Sequence, residues 1–311
     1  MMIMINNFLG LLLGWLLCLV AGHRTVGQKE SVVLVSTSIG NHGALVLACC
    51  GAICRFGFAL NAGFNAMPDM GTCRDSALGI VCFGICAGDI YNYTMGPVLL
   101  QRNQKKKDDY VPIQDEREQS DAPPPWWTPE GFWAFLQTVE MPLLAVCVGL
   151  MIGIIPPLKA TFHGHGAPLN SMADAFKMVG YASIPLQLLL LGGNLMSKKE
   201  DKDKADESLH PVLIVGIIVI RLVLLPAAGV SLVVMFQTLG IAPTDPLILF
   251  IMLLEMSTPT GISVTMFMNY YDTPGKASVA FMTIVQYIVA IPMMTFLITI
   301  YLLMATSTNF D

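Results

Sequence analysis

The sequence predicts an all-α membrane protein with about eight transmembrane helices, and three observations carry that reading. Apolar residues make up 54% of the chain and charged residues 13%, with a mean hydropathy of +0.64. A water-soluble globular domain is excluded by such a composition. The apolar residues gather into runs of roughly 20, the length that crosses a bilayer. Two of those runs carry a polar, helix-weakening cluster at mid-length, the pattern of transporters whose half-helices meet at the membrane midplane.

In chain order the predicted spans are Ile3 to Val20, Ser31 to Ala52, Ser76 to Leu100, Gly131 to Ile155, Ala173 to Met196, Pro211 to Phe236, Pro246 to Asn269 and Lys276 to Met304. The first reads as a plain helix. It ends in Ala21-Gly22 as a cleavable signal would, but no Lys or Arg precedes its apolar core, where a secretory signal has a basic start. The second is interrupted by Ser36-Thr37-Ser38-Ile39-Gly40-Asn41-His42-Gly43. The third is rich in small residues, and its Asn92-Tyr93-Thr94 sequon falls near the cytosolic end, where it should stay unmodified.

A charged and then Pro-rich segment, Gln101 to Glu130, divides the chain as a solvated linker between residues 1–100 and 131–311. The seventh span contains Ser257-Thr258-Pro259-Thr260-Gly261. Pro259 has no amide hydrogen and its ring clashes with the carbonyl of Glu255, so backbone acceptors near Glu255 and Met256 lose their partners at mid-membrane depth. Hydrocarbon tolerates this only where the freed groups are buried in protein or line a watery cavity.

The loops set the orientation. Twelve Lys and Arg lie on the side that includes Lys105, Lys198 and Lys276, against Arg55, Arg74 and Lys159 on the other. The richer side is cytosolic by the positive-inside rule, so both termini face the lumen or exterior. The eight cysteines fall mostly inside apolar spans without paired metal spacing and read as small buried hydrophobes, although Cys54 and Cys73 flank one loop and could bridge. The 20 methionines are scattered packing residues, and His163 and His165 lack companion ligands, so no metal is assigned.

Spans one to three match spans six to eight in layout: plain helix, interrupted helix, helix with small residues. The offset is five spans, an odd number, so the second copy must be inverted. Spans four and five have no counterparts, and a complete five-plus-five protein would need two more helices before Ile3.

At this point the residues resemble a known family. The stretch 166–195, the segment RLVLLPAAG from Arg221 to Gly229, Asp245-Pro246, LLEMSTPTGIS from Leu253 and the run Lys276 to Tyr287 resemble the auxin efflux carrier superfamily, most of all its PIN-LIKES branch. In the first half the resemblance rests on residues 10–15, on IGNHGALVL from Ile39 and on Cys73. It implies an incomplete inverted repeat (3+5) of the ten-helix bile-acid and sodium/proton carrier type, with two crossing broken helices. It also implies carriage of auxin-like carboxylates in the endoplasmic reticulum membrane. The chain departs from the family pattern at Val46 and at Thr258 to Ser263.

The positive end of a half-helix attracts anions, and its free amides donate to them. The amides around His42 to Ala44 and Thr260 to Ile262 are therefore candidates, flanked by Gly40, Gly43, Pro259 and Gly261. Asn41 offers a side-chain amide on one crossing, and Ser257, Thr258, Thr260 and Ser263 offer hydroxyls on the other. The alternative is that these hydroxyls only bond the carbonyls freed by the break.

Glu255, Asp89, Glu140, Lys177 and Arg221 are ionisable within spans, where a charge costs roughly 2.5–3.5 kcal/mol or more. Glu255, one turn before Pro259, is the candidate proton-coupling carboxylate. Arg221 pairs with an acid or a bound anion, or packs beside another helix. Lys177 lies close enough to its span's end to snorkel.

The function implied is a secondary carrier of small organic anions working by alternating access. The competing reading is a truncated, non-transporting relative that binds ligand or a full-length partner as a regulator. Catalysis is disfavoured, because the serine-rich break has no histidine in its own span. The partners are an organic anion, the lipid bilayer and, as one form of assembly, a second copy in a homodimer. No cofactor or nucleic acid is implied.

Overall fold

A computed structural model of the protein describes residues 2–22, 29–43, 70–108, 141–162, 166–197, 208–241, 245–271 and 275–307, with isolated positions between them, and these regions are helical. The linker tip, His163, His165, Glu140 and Ala44 lie outside the described residues. Among the described residues four helices are long and apolar enough to span a membrane, and a fifth results if one bent pair is counted as a single span. The count of eight is thus not reached by length and composition, partly because the interrupted runs are divided into short helices.

The chain opens with α1, Met2–Ala21, followed by α2, Glu30–Ser38. These pack closely because Gly10 and Gly14, one turn apart, lie directly against Thr37: a Cβ at Gly10 would meet the Thr37 carbonyl, and one at Gly14 its hydroxyl. α1 is not a plain hydrophobic rod, since Asn6 and Asn7 are fully buried on its inner face. A cleaved signal peptide would remove these contacts. α3, Met70–Asp108, runs beyond the expected Ser76 to Leu100 at both ends and accommodates Pro97 within it.

The fourth apolar run is described as α4, Met141–Ile154, which turns by 102° into α5, Pro156–Phe162. The fifth divides at Ala182 into α6, Asn170–Tyr181, and α7, Ser183–Ser197. Large apolar side chains such as Met178, Val179 and Leu189 are exposed on α6 and α7, as suits a surface in lipid.

The sixth run is one long helix, α8, Pro211–Thr238, with a π-helical turn at Ile220–Leu224. The seventh is α9, Pro246–Met256, then a break, then α10, Ser263–Tyr270. Asp245 caps α9 by accepting from the Leu247 amide at 2.8 Å, with Pro246 at the first helical position. α11, Lys276–Ser307, closes the chain.

α9 is the central element. It packs on α1, α3, α8 and α11, and Phe250, Leu253, Leu254 and Met256 are wholly buried. Two apolar clusters, one around α9 and the other around α2 and α10, flank the point where the two interrupted segments meet.

Cys54 and Cys73 form a disulfide with Cα atoms 5.8 Å apart. The default reading of all eight cysteines as buried hydrophobes is therefore corrected for this pair. Composition could not separate the two cases, because a bridge depends on how the chain brings the ends of one loop together.

Candidate functional site

The two interrupted segments cross backbone to backbone. Gly40 and Thr260 form an isolated antiparallel bridge, in which the Asn41 amide donates to the Pro259 carbonyl at 2.9 Å and the Gly261 amide to the Ile39 carbonyl at 3.0 Å. Each break thus supplies the partners that the other lost. Both contact points are tight: a Cβ at Gly261 would lie 3.1 Å from the Gly40 carbonyl oxygen, and one at Gly40 would lie 2.7 Å from Thr258 Oγ1.

These contacts revise the list of amide donors. Gly261 N–H is committed to Ile39, and Thr260 N–H donates to Gln286 Oε1 at 3.2 Å. The amides of His42, Gly43 and Ile262 are the ones that the crossing itself does not use.

The hydroxyls divide in the same way. Ser257 Oγ donates to Leu253 O at 3.0 Å and also meets Tyr301 Oη, while Thr258 Oγ1 donates to Glu255 O at 3.2 Å. Both are thus bonded to carbonyls of their own segment. Thr260 Oγ1 reaches across instead, donating to Ser36 O at 2.9 Å. Asn41 Nδ2 donates to Tyr287 Oη of α11. Ser263 begins α10 next to Gly261.

Glu255 is 3% exposed and is not alone. His42 Nδ1 lies 2.8 Å from Glu255 Oε2, and His42 Nε2 lies 3.1 Å from Asn7 Oδ1. Asn7 Oδ1 can only accept, so Nε2 carries a hydrogen and the Nδ1 to Oε2 contact shares one further proton. That proton sits on the imidazole, giving an ion pair, or on the carboxyl, giving a neutral pair. Asn6 Nδ2 donates at 2.9 Å to the Glu255 carbonyl, the acceptor that Pro259 cannot serve. Gly84 and Gly88 of α3 lie beside the pair and tightly against Ile3 of α1: a Cβ at Gly84 would be 2.8 Å from Ile3 Cδ1 and 3.4 Å from Glu255 Oε1, and one at Gly88 would be 3.3 Å from Ile3 Cγ2 and 3.5 Å from His42 Cδ2. Asp89 of α3 also interacts electrostatically with His42.

The sequence points to Glu255, and to His42 only for its backbone amide. Asn6, Asn7, Gln286, Tyr287 and Tyr301 join them only in the folded structure. Their one visible signal is a polar side chain inside an apolar run, which does not say which way it points. Lys177 is on α6. Around the crossing, Ser36 Oγ, Gln286 Nε2, Glu255 Oε1 and Asn7 Nδ2 are buried without a partner. A mid-membrane region with unsatisfied donors and acceptors on both crossing segments is suited to a polar ligand.

Among the described residues the fold is helical, with large apolar side chains on its surface and two interrupted segments meeting in its interior, which defines an integral, multi-pass membrane protein of the transporter class. The chain belongs to the membrane transport protein family, whose model matches residues 1–298, and the resemblance to auxin efflux carriers agrees with this membership. The family is one of transporters and not of enzymes.

Among relatives, Protein PIN-LIKES 5 of Arabidopsis thaliana is 24% identical over 323 residues, covering 94% of this chain and 78% of its own length. Protein PIN-LIKES 3 of the same plant is 24% identical over 297 residues, covering 87% and 72%. An uncharacterised transporter of Schizosaccharomyces pombe is 27% identical over 131 residues, covering 40% of this chain and 29% of its own length. No solved structure matches the chain.

Proposed function

We propose that the protein is a secondary carrier of small organic anions of the auxin type, with the crossing of the two interrupted segments as its two-sided substrate site. The observation that carries this reading is the Gly40 to Thr260 bridge. It joins the two interrupted segments in the protein interior, where main-chain dipoles and the Asn41 side chain can face an anion. Gly40, Asn41, Gly43, Pro259, Thr260, Gly261 and Ser263 form the proposed site, while Ser257 and Thr258 hold the shape of the second break. The repeat is read as inverted, with three helices in the first copy and five in the second.

The His42–Glu255 pair is proposed as the coupling group. It holds one proton on a contact that another state of the carrier can open, and losing that proton would leave a carboxylate without its partner. Transport then proceeds by alternating access and is driven by proton movement.

The endoplasmic reticulum membrane is the proposed location, with both termini lumenal. The Cys54–Cys73 disulfide supports this orientation, because its loop is on the side poor in Lys and Arg and lumenal thiols oxidise whereas cytosolic ones stay reduced.

The test is uptake of labelled indole-3-acetate into vesicles bearing the intact protein or Asn41→Ala. The variant is expected to lose at least about tenfold in rate, the consequence of removing one substrate-facing hydrogen bond of about 1.4 kcal/mol or more. Equal flux from both proteins would sink the assigned site.

A further inference from the structure

Arg221 is wholly enclosed, 0% exposed, and none of its three guanidinium nitrogens has a hydrogen-bond partner. Among the described residues no carboxylate lies within 4.0 Å of it. A guanidinium does not release its proton in a protein, so the charge persists. An unpaired charge inside a protein is strongly disfavoured, and more so at mid-membrane depth, so this position calls for a counter-anion.

Its setting places that anion beside the crossing. Arg221 lies in the π-helical turn Ile220–Leu224, a feature frequent at functional sites, which shifts the register of α8 locally. Its electrostatic neighbours are the phenols of Tyr91 and Tyr287. Tyr287 accepts from Asn41 Nδ2, and Tyr91 is next to Ser38, the last residue of α2. Both neighbours therefore abut the first crossing segment.

We propose that Arg221 is a substrate ligand whose planar fork receives the carboxylate of the transported anion between Tyr91 and Tyr287. This rests on the carrier reading above and adds to it the group that recognises the negative charge. The fork of a guanidinium matches the two oxygens of a carboxylate, and the phenols can each donate to the same oxygens. Lysine offers a point charge without that geometry. An inorganic anion such as chloride shares the charge but not the planar pair of oxygens.

The experiment uses the purified full chain in nanodiscs, with indole-3-acetate, its neutral isostere indole-3-acetamide, and chloride as probes. Binding is measured by calorimetry and unfolding by thermal scan. The wild type is expected to bind the acid and not the amide. Arg221→Met should weaken acid binding by about 100-fold and Arg221→Lys by about tenfold. Ligand-free Arg221→Met should unfold no lower than the wild type, because it removes an unpaired buried charge.

Acid binding equal in wild type and Arg221→Met overturns this inference and leaves the crossing site standing. No acid binding by the wild type overturns the carrier reading together with it. Stabilisation by chloride that Arg221→Met abolishes, without competition from the acid, gives the position to an inorganic ion and overturns it. So does unfolding of ligand-free Arg221→Met well below the wild type, which marks a structural arginine.

Discussion

Glu255 has its charge problem answered by a residue 213 positions away in the chain. His42 sits in the first break and Glu255 one turn before the second, so the pair reports directly on whether the two breaks are together. Glu255→Gln keeps the side-chain shape and removes the exchangeable proton. It is expected to leave indole-3-acetate binding within about threefold while abolishing the response of flux to an imposed proton gradient, as read in vesicles with a pH jump. Wild-type flux that ignores the gradient would remove the coupling role altogether. His42→Ala has a different consequence: it leaves a buried carboxylate unpaired, a change that costs about 3–5 kcal/mol where both partners are buried. A large fall in the unfolding temperature of the detergent-solubilised protein is the readout.

The interrupted helices and the close α1–α2 contact depend on glycines with little room above them. At Gly10 the obstacle is the Thr37 carbonyl, a main-chain atom that cannot rotate away. Gly10→Val is expected to destabilise the protein by about 1–3 kcal/mol through overpacking, and to displace α2 and with it Asn41. Thermal unfolding together with indole-3-acetate flux checks both effects, and a variant with wild-type stability and flux would show the contact to be looser than described. At the crossing, Gly261 meets backbone from the opposite segment, so Gly261→Val is expected to lose the antiparallel bridge and transport with it. By contrast, exposed positions of α6 such as Val179 should accept another apolar residue with no change in flux.

The assembled molecule places its polar interior and its disulfide in different settings. The two ends of the loop between the second and third apolar runs are joined by Cys54–Cys73, 19 residues apart. In the chain-entropy account, closing a loop of that size stabilises the folded state by about 3 kcal/mol. Cys54→Ser is therefore expected to lower the unfolding temperature, and maleimide mass-tagging of the denatured protein should find these two thiols only after reduction. Tagging of both without reductant would remove the bridge and the support it lends to a lumenal placement. A membrane-impermeant label on a cysteine introduced at Lys105 should react from the cytosolic side, and reaction from the opposite side would overturn the proposed orientation.

The α-helical membrane class, the long apolar runs and the two places where they falter were legible along the chain. Those features are local: helix length follows from bilayer thickness, and Pro259, Gly40 and Gly261 act on the backbone within one turn of themselves. The resemblance in residues 166–195 and from Leu253 onward also pointed to the right family. Less legible was which polar side chain faces which. Asn6, Asn7, Tyr287 and the His42 ring look like isolated polar residues in apolar surroundings until each helix is rotated and packed. Likewise, Ser257 and Thr258 could not be sorted from Thr260 without knowing that two of them turn back on α9 and the third crosses to Ser36. Local sequence thus dictated where the helices stop, because breaking a helix is a matter of its own backbone. The meeting of the two breaks, the proton shared by His42 and Glu255 and the bond between Cys54 and Cys73 come from packing, since each needs distant segments to converge within a hydrogen bond or a covalent bond.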